Sequence, residues 1–111
     1  MGTEEILASG NFSIVGTTIT LSKSYKQFRK IILVSGWDSS GSDTKTPSGF
    51  YCHEYTLLSK NWNHMIVPVF IHGKLSGCIS ASFKDDTHMI IDSSTFTASS
   101  DLGIRNVIGV Y

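Results

Sequence analysis

Two tryptophans stand beside hydrogen-bonding side chains in polar stretches of the chain. Trp37 is followed by Asp38 and Ser39, and Trp62 is flanked by Asn61, Asn63 and His64. A flat aromatic ring covers the C–H face of a sugar while amide and carboxylate groups around it bond the hydroxyls. Trp37, Asp38, Trp62, Asn63 and His64 are therefore the candidate carbohydrate-binding residues. The alternative role for both indoles is to cap the ends of the core, because tryptophan is usually buried over most of its surface.

Other chemistries find less support. Cys52, His53, His64, His72, Cys78 and His88 lack the short-loop or helical spacing of a zinc site, and adjacent Cys52 and His53 point to opposite faces of a strand. The Asp38–Thr44 stretch, DSSGSDT, fails as a calcium loop: it lacks a carboxylate at the third position, its glycine comes at the fourth rather than the sixth, and Gly49 stands where the bidentate Glu belongs. No metal and no cofactor is expected. The acids Asp38, Asp43, Glu54, Asp85, Asp86, Asp92 and Asp101 fall mostly in turns, where aspartate caps and solvates. No GxSxG, paired-acid motif or phosphate-cradling glycine loop occurs, so enzyme activity has no support. Cys52 and Cys78 lie in apolar β-like runs without redox spacing, and two buried free thiols are expected rather than a disulfide.

The element that must position these groups is Lys30–Ser35. Ile31, Ile32, Leu33 and Val34 are too few for a stable helix and too continuous for a strand with one wet face, so a central strand covered on both faces is predicted. Tyr25 and Phe28, three apart before it, suit a single helical turn that packs both rings on the core.

Elsewhere the pattern is that of short strands and turns. Glu5–Ser9 and Thr17–Leu21 read as strands joined by a loose hairpin over Asn11–Gly16, with Ile19 and Leu21 on one face. Residues 38–49 form a long polar loop. Phe50–Leu58 alternates without a clean dry face. Met65–Ile71 is strongly apolar, and Pro68 in its middle marks an edge or a bulge. Leu75–Phe83 alternates, with Leu75, Gly77, Ile79, Ala81 and Phe83 on the packed face. His88–Asp92 follows a turn, a short strand is predicted around Phe96, and Ile104–Tyr111 is a last strand broken at Gly109. About eight or nine short strands predict an all-β class, an antiparallel β-sandwich or barrel-like domain.

Composition agrees. Serine occurs 17 times and threonine 10 times, with ten glycines, which leaves little helix-forming material. Nine basic and nine acidic residues give zero formal net charge, and they are scattered singly, so neither nucleic acid nor an anionic membrane is an expected partner. No run reaches the length of a membrane span, residues 1–12 lack the blocks of a signal peptide, and 111 residues fit one domain.

A family resemblance rests on the order of five segments: a strand closing on Ala8-Ser9-Gly10, then TITLSKSYKQF at 18–28, KIILVSG at 30–36, IVPVFI at 66–71 and IRNVIGVY at 104–111. Across nearly its whole length the chain resembles the small C-terminal β-domains of bacteriophage tail proteins, including tail fibres and tailspikes. The resemblance implies that residues 1–111 are the C-terminal fragment of a longer virion protein. It also implies a homotrimer at the distal end of the tail, extracellular at the host surface, which contacts a bacterial surface glycan or helps the trimer assemble. It supplies no fixed sugar-binding residues, and the 38–49 loop departs from its pattern. The rival expectation is a trimerisation or folding module of the parent fibre without a ligand of its own.

Overall fold

The Lys30–Ser35 run becomes the heart of β3 (Lys30–Trp37), an inner strand hydrogen-bonded to β4 (Phe50–Thr56) on one side and β8 (Leu102–Val110) on the other. With β1 (Glu4–Phe12) beyond β8, the first sheet runs β1-β8-β3-β4. The second sheet comprises β2 (Thr18–Thr20), β7 (His88–Ser94), β6 (Lys74–Asp85) and β5 (Met65–Ile71), in that order. Every pairing is antiparallel, and the two sheets pack face to face as a β-sandwich. The computed structural model of the chain describes residues 3–37, 50–56, 64–71, 74–97 and 102–111.

Alternation along β3 builds the core. Ile31, Leu33 and Ser35 point inward and are fully buried, and β3 packs across the core against β5. Ile32 and Val34 point outward but are still buried, because Val110 and Ile108 of β8 lie over them on the outer face. The continuous apolar run is thus covered on both faces, one by the second sheet and the other by neighbours within the same sheet. From the second sheet Met65, Val67, Val69, Ile79, Ala81, Met89 and Ile91 complete the interior. Ile19 and Leu21 share the inward face as predicted. The 3-10 turn at Tyr25–Gln27 lays Tyr25 on Phe83, ring centroids 3.7 Å apart, and leads Phe28 into the core, so both aromatics are packing residues.

Several expectations are corrected. No hairpin joins the first two strands: β1 pairs with β8 and β2 with β7, so the Asn11–Gly16 connection crosses from one sheet to the other. Cys52 and Cys78 are free but exposed, because they occupy the outward positions of β4 and β6, between inward-directed neighbours. Leu75 leaves the packed face because the β5–β6 register shifts between Val69 and Phe70, which inverts the alternation beyond Gly77. Phe96 is not in a strand: β7 ends at Ser94, and the ring packs against the core beside Gly77. Gly109 does not break β8, which runs through it; the irregularity lies at Arg105. The 38–49 loop, Leu57 and Leu58 lie outside the described residues.

Pro68 does mark an edge, since β5 is the last strand of its sheet. An open edge presents unpaired backbone groups that invite aggregation. Here the outward carbonyls of Ile66 and Pro68 accept hydrogen bonds from Tyr55 Oη and Ser35 Oγ of the facing sheet, and proline removes one donor altogether. Side chains of the first sheet therefore close the β5 edge of the second.

Candidate functional site

Sheet register decides which candidate residues can meet. Gly36 lies opposite Phe50 at one end of β4, and Lys30 lies opposite Thr56 at the other. Trp37 closes β3 at the first end, paired in register with Leu102, whereas His64 precedes β5 beside Tyr55 and Thr56 at the second. Six residue steps of β4 separate these ends, about 20 Å at strand rise. Trp37 and His64 therefore do not share one site. Asp38, Trp62 and Asn63 lie outside the described residues, as does the side chain of Trp37.

At the second end a groove of about 300 Å³ is lined by Glu54, Tyr55, Thr56 and His64. Alternation turns Glu54 and Thr56 outward on β4, while Tyr55 lies half-buried against the core. Burial pushes the Tyr55 pKa up to about 12, so the phenol stays protonated and donates to the Ile66 carbonyl. Glu54 meets Lys30 at 3.4 Å across the β3–β4 pair, an exposed contact of little energetic weight.

His64 is held from the opposite side. Its Nδ1 lies 2.9 Å from Asp92 Oδ2, and Ser82 Oγ donates to Asp92 Oδ1 at 3.1 Å. Asp92 is the residue left over where the β6–β7 register slips between Ser80 and Ala81, and such a bulge re-aims a side chain. The carboxylate thereby reaches across β6 to the imidazole. An acid–imidazole pair of this kind orients a general base in hydrolases, but here the serine hydroxyl donates to the acid instead of the imidazole, which leaves it unactivated.

No protein-family model and no curated protein matches this chain.

A second serine–histidine contact lies inside the sandwich. Ser35 Oγ donates to the Pro68 carbonyl at 2.8 Å and lies 3.1 Å from His53 Nε2, so Nε2 carries the hydrogen that Oγ accepts. With its proton committed and the residue fully buried, Ser35 is a clip between the sheets rather than a nucleophile. Burial lowers the His53 pKa from 6.5, with a hydrogen bond to the Pro68 carbonyl acting the other way. A depressed folded-state pKa means that the unfolded chain binds the proton first on acidification. Stability is therefore full above the unfolded pKa of 6.5 and declines as pH falls below it. Urea midpoints measured between about pH 8 and about pH 5 are expected to fall more steeply for the wild type than for His53→Gln. Parallel curves for the two proteins would refute this.

Sequence reasoning placed His64 at a polar turn but missed Glu54, Tyr55, Thr56, Ser82 and Asp92. The first three could have been suspected from an alternation with no dry face. Nothing in the local sequence marks Asp92 as a bulge. Among the described residues, no three His, Cys, Asp or Glu side chains converge on a metal position, and no helix is long and apolar enough to cross a membrane.

Proposed function

We propose that this domain is a non-catalytic terminal module of a bacteriophage tail fibre or tailspike that binds bacterial surface carbohydrate as a homotrimer. The observation that carries the binding part is the groove at the β4–β5 end. There a half-buried aromatic ring, an exposed carboxylate and an imidazole held by Asp92 line one open groove, a mixture that sugar recognition uses. Trp62 and Asn63 directly precede His64 in the chain, which adds an indole and an amide to the same segment. Trp37, which closes β3 at the far end, and its neighbour in sequence Asp38 are the candidates for a separate contact. The tail setting and the trimer rest on the resemblance of the five segments.

One observation favours the assembly reading, in which the domain trimerises the parent fibre without a ligand. Ile6, Ile108 and Ile32 form a cross-strand row on the outer face of the first sheet, and Ile6 is 60% exposed. A second copy could cover such a row.

Light scattering together with a screen of bacterial surface polysaccharides separates the two. A trimer that binds a polysaccharide, with binding weakened at least about tenfold by His64→Ala, is the expected result. A trimer that binds none leaves the assembly role. A monomer at micromolar concentration counts against both.

A further inference from the structure

The outer face of the first sheet carries a second groove, lined by none of the candidates above, and its origin is a coincidence of two irregularities. Between β3 and β8 the register passes from Val34 opposite Asn106 to Ser35 opposite Ile104, so that the ladder skips Arg105. Between β1 and β8 it passes from Ser9 opposite Asn106 to Phe12 opposite Ile104, which leaves Gly10 and Asn11 against the same arginine. Arg105 is therefore the extra residue of β8 toward β3 and the single residue that faces a bulge of β1 at Gly10 and Asn11, in the interior of a sheet where a regular strand would have packed a flat surface. The result is a groove of about 390 Å³ lined by Ser9, Gly10, Val34, Arg105 and Asn106. That volume is at the small end of the range of about 300–1,000 Å³ for small-molecule sites.

Its chemistry is lopsided toward hydrogen-bond donation. Ser9 Oγ donates to Asn106 Oδ1 at 2.9 Å, so the acceptor end of the amide is engaged by the protein and the Nδ2 donors are the end left to a ligand. The Arg105 guanidinium has five N–H donors, so the interaction it already makes does not exhaust it. Val34 gives the groove an apolar wall, and Gly10 offers no side chain to fill it.

We infer that this groove binds an acidic saccharide, its carboxylate on Arg105 and Asn106. A single guanidinium, the one charged side chain among the described residues lining the groove, matches the single charge and planar fork of a carboxylate better than a doubly charged phosphate. The inference rests on the proposal that the domain binds carbohydrate and adds a site and a sugar class to it.

The test is amide chemical-shift mapping of the full chain titrated with glucuronate, galacturonate and N-acetylneuraminate, with glucose, galactose and inorganic phosphate as separate arms. Expected are shifts at Ser9, Gly10, Arg105 and Asn106 with at least one acidic sugar, binding in the millimolar range and weaker at high salt. Arg105→Gln should weaken it about ten- to hundredfold, and Lys84→Gln, the loss of an exposed charge outside both grooves, should leave it unchanged. Should Arg105→Gln not fold, wild-type mapping and the salt dependence decide alone. No acidic sugar shifting these amides overturns the inference, as does equal binding of neutral sugar or of phosphate at the same residues. Saccharide shifts confined to the His64 groove and lost in His64→Ala would overturn this site and leave the carbohydrate function standing; no saccharide shifts anywhere would overturn both.

Discussion

Leu33→Ala is expected to destabilise the domain by about 2–5 kcal/mol, a loss of at least about 10 °C in Tm for a chain of this size. Leu33 is fully buried on the inward face of an inner strand, with β4 and β8 paired on either side and β5 across the core. Neighbours so constrained cannot collapse into the space left by four heavy-atom positions reduced to one, so transfer and cavity costs both apply. Trp37 is the last residue of β3, where pairing ends against Leu102, and under the saccharide reading its indole meets ligand. Trp37→Ala is accordingly expected to melt close to the wild type. Thermal melts of the two variants check this. If Trp37→Ala unfolded the domain while Leu33→Ala were mild, both the central role of β3 and the assignment of Trp37 to ligand would be wrong.

Gly103→Ala is expected to cost about 2–4 kcal/mol through two separate penalties. Gly103 has φ +149°, a conformation that residues with a side chain rarely adopt. A Cβ there would also lie 2.7 Å from the Phe12 backbone oxygen and 2.9 Å from Asn11 Oδ1, and a backbone oxygen in a paired strand has little room to retreat. Gly16 supplies the control. Its φ is +89°, but an added Cβ meets nothing within 4 Å, so Gly16→Ala bears the backbone penalty alone, about 1 kcal/mol. Equal denaturation midpoints for the two variants would show that β1 does not approach β8 as closely as described.

Much of the architecture was legible because it depends on local rules. The uninterrupted Ile31–Val34 run required cover on both faces, Pro68 required an edge or a bulge, and the Tyr25–Phe28 spacing suited a short helical turn; each follows from the geometry of one segment. The errors share a different cause. The supposed β1–β2 hairpin failed because adjacency in sequence says nothing about which sheet a strand joins, and β1 pairs instead with a strand at the other end of the chain. Leu75 departs from the alternation of its strand because the β5–β6 ladder carries a bulge that no residue type announces.

The candidate sites divide along the same line. By itself the sequence determined the all-β class, the central strand, an edge or a bulge at Pro68 and the polar segments that carry tryptophan. These are properties of side-chain period, backbone hydrogen-bonding capacity and composition, all of which act over a few residues. Only the tertiary structure decided that Trp37 and His64 sit at opposite ends of β4, that Asp92 reaches His64, and that Arg105 opens a groove between Ser9 and Val34. Each of these depends on the register between strands distant in the chain. Register is set by how two whole sheets bury their apolar faces against each other, and a slip of one residue redirects every side chain beyond it.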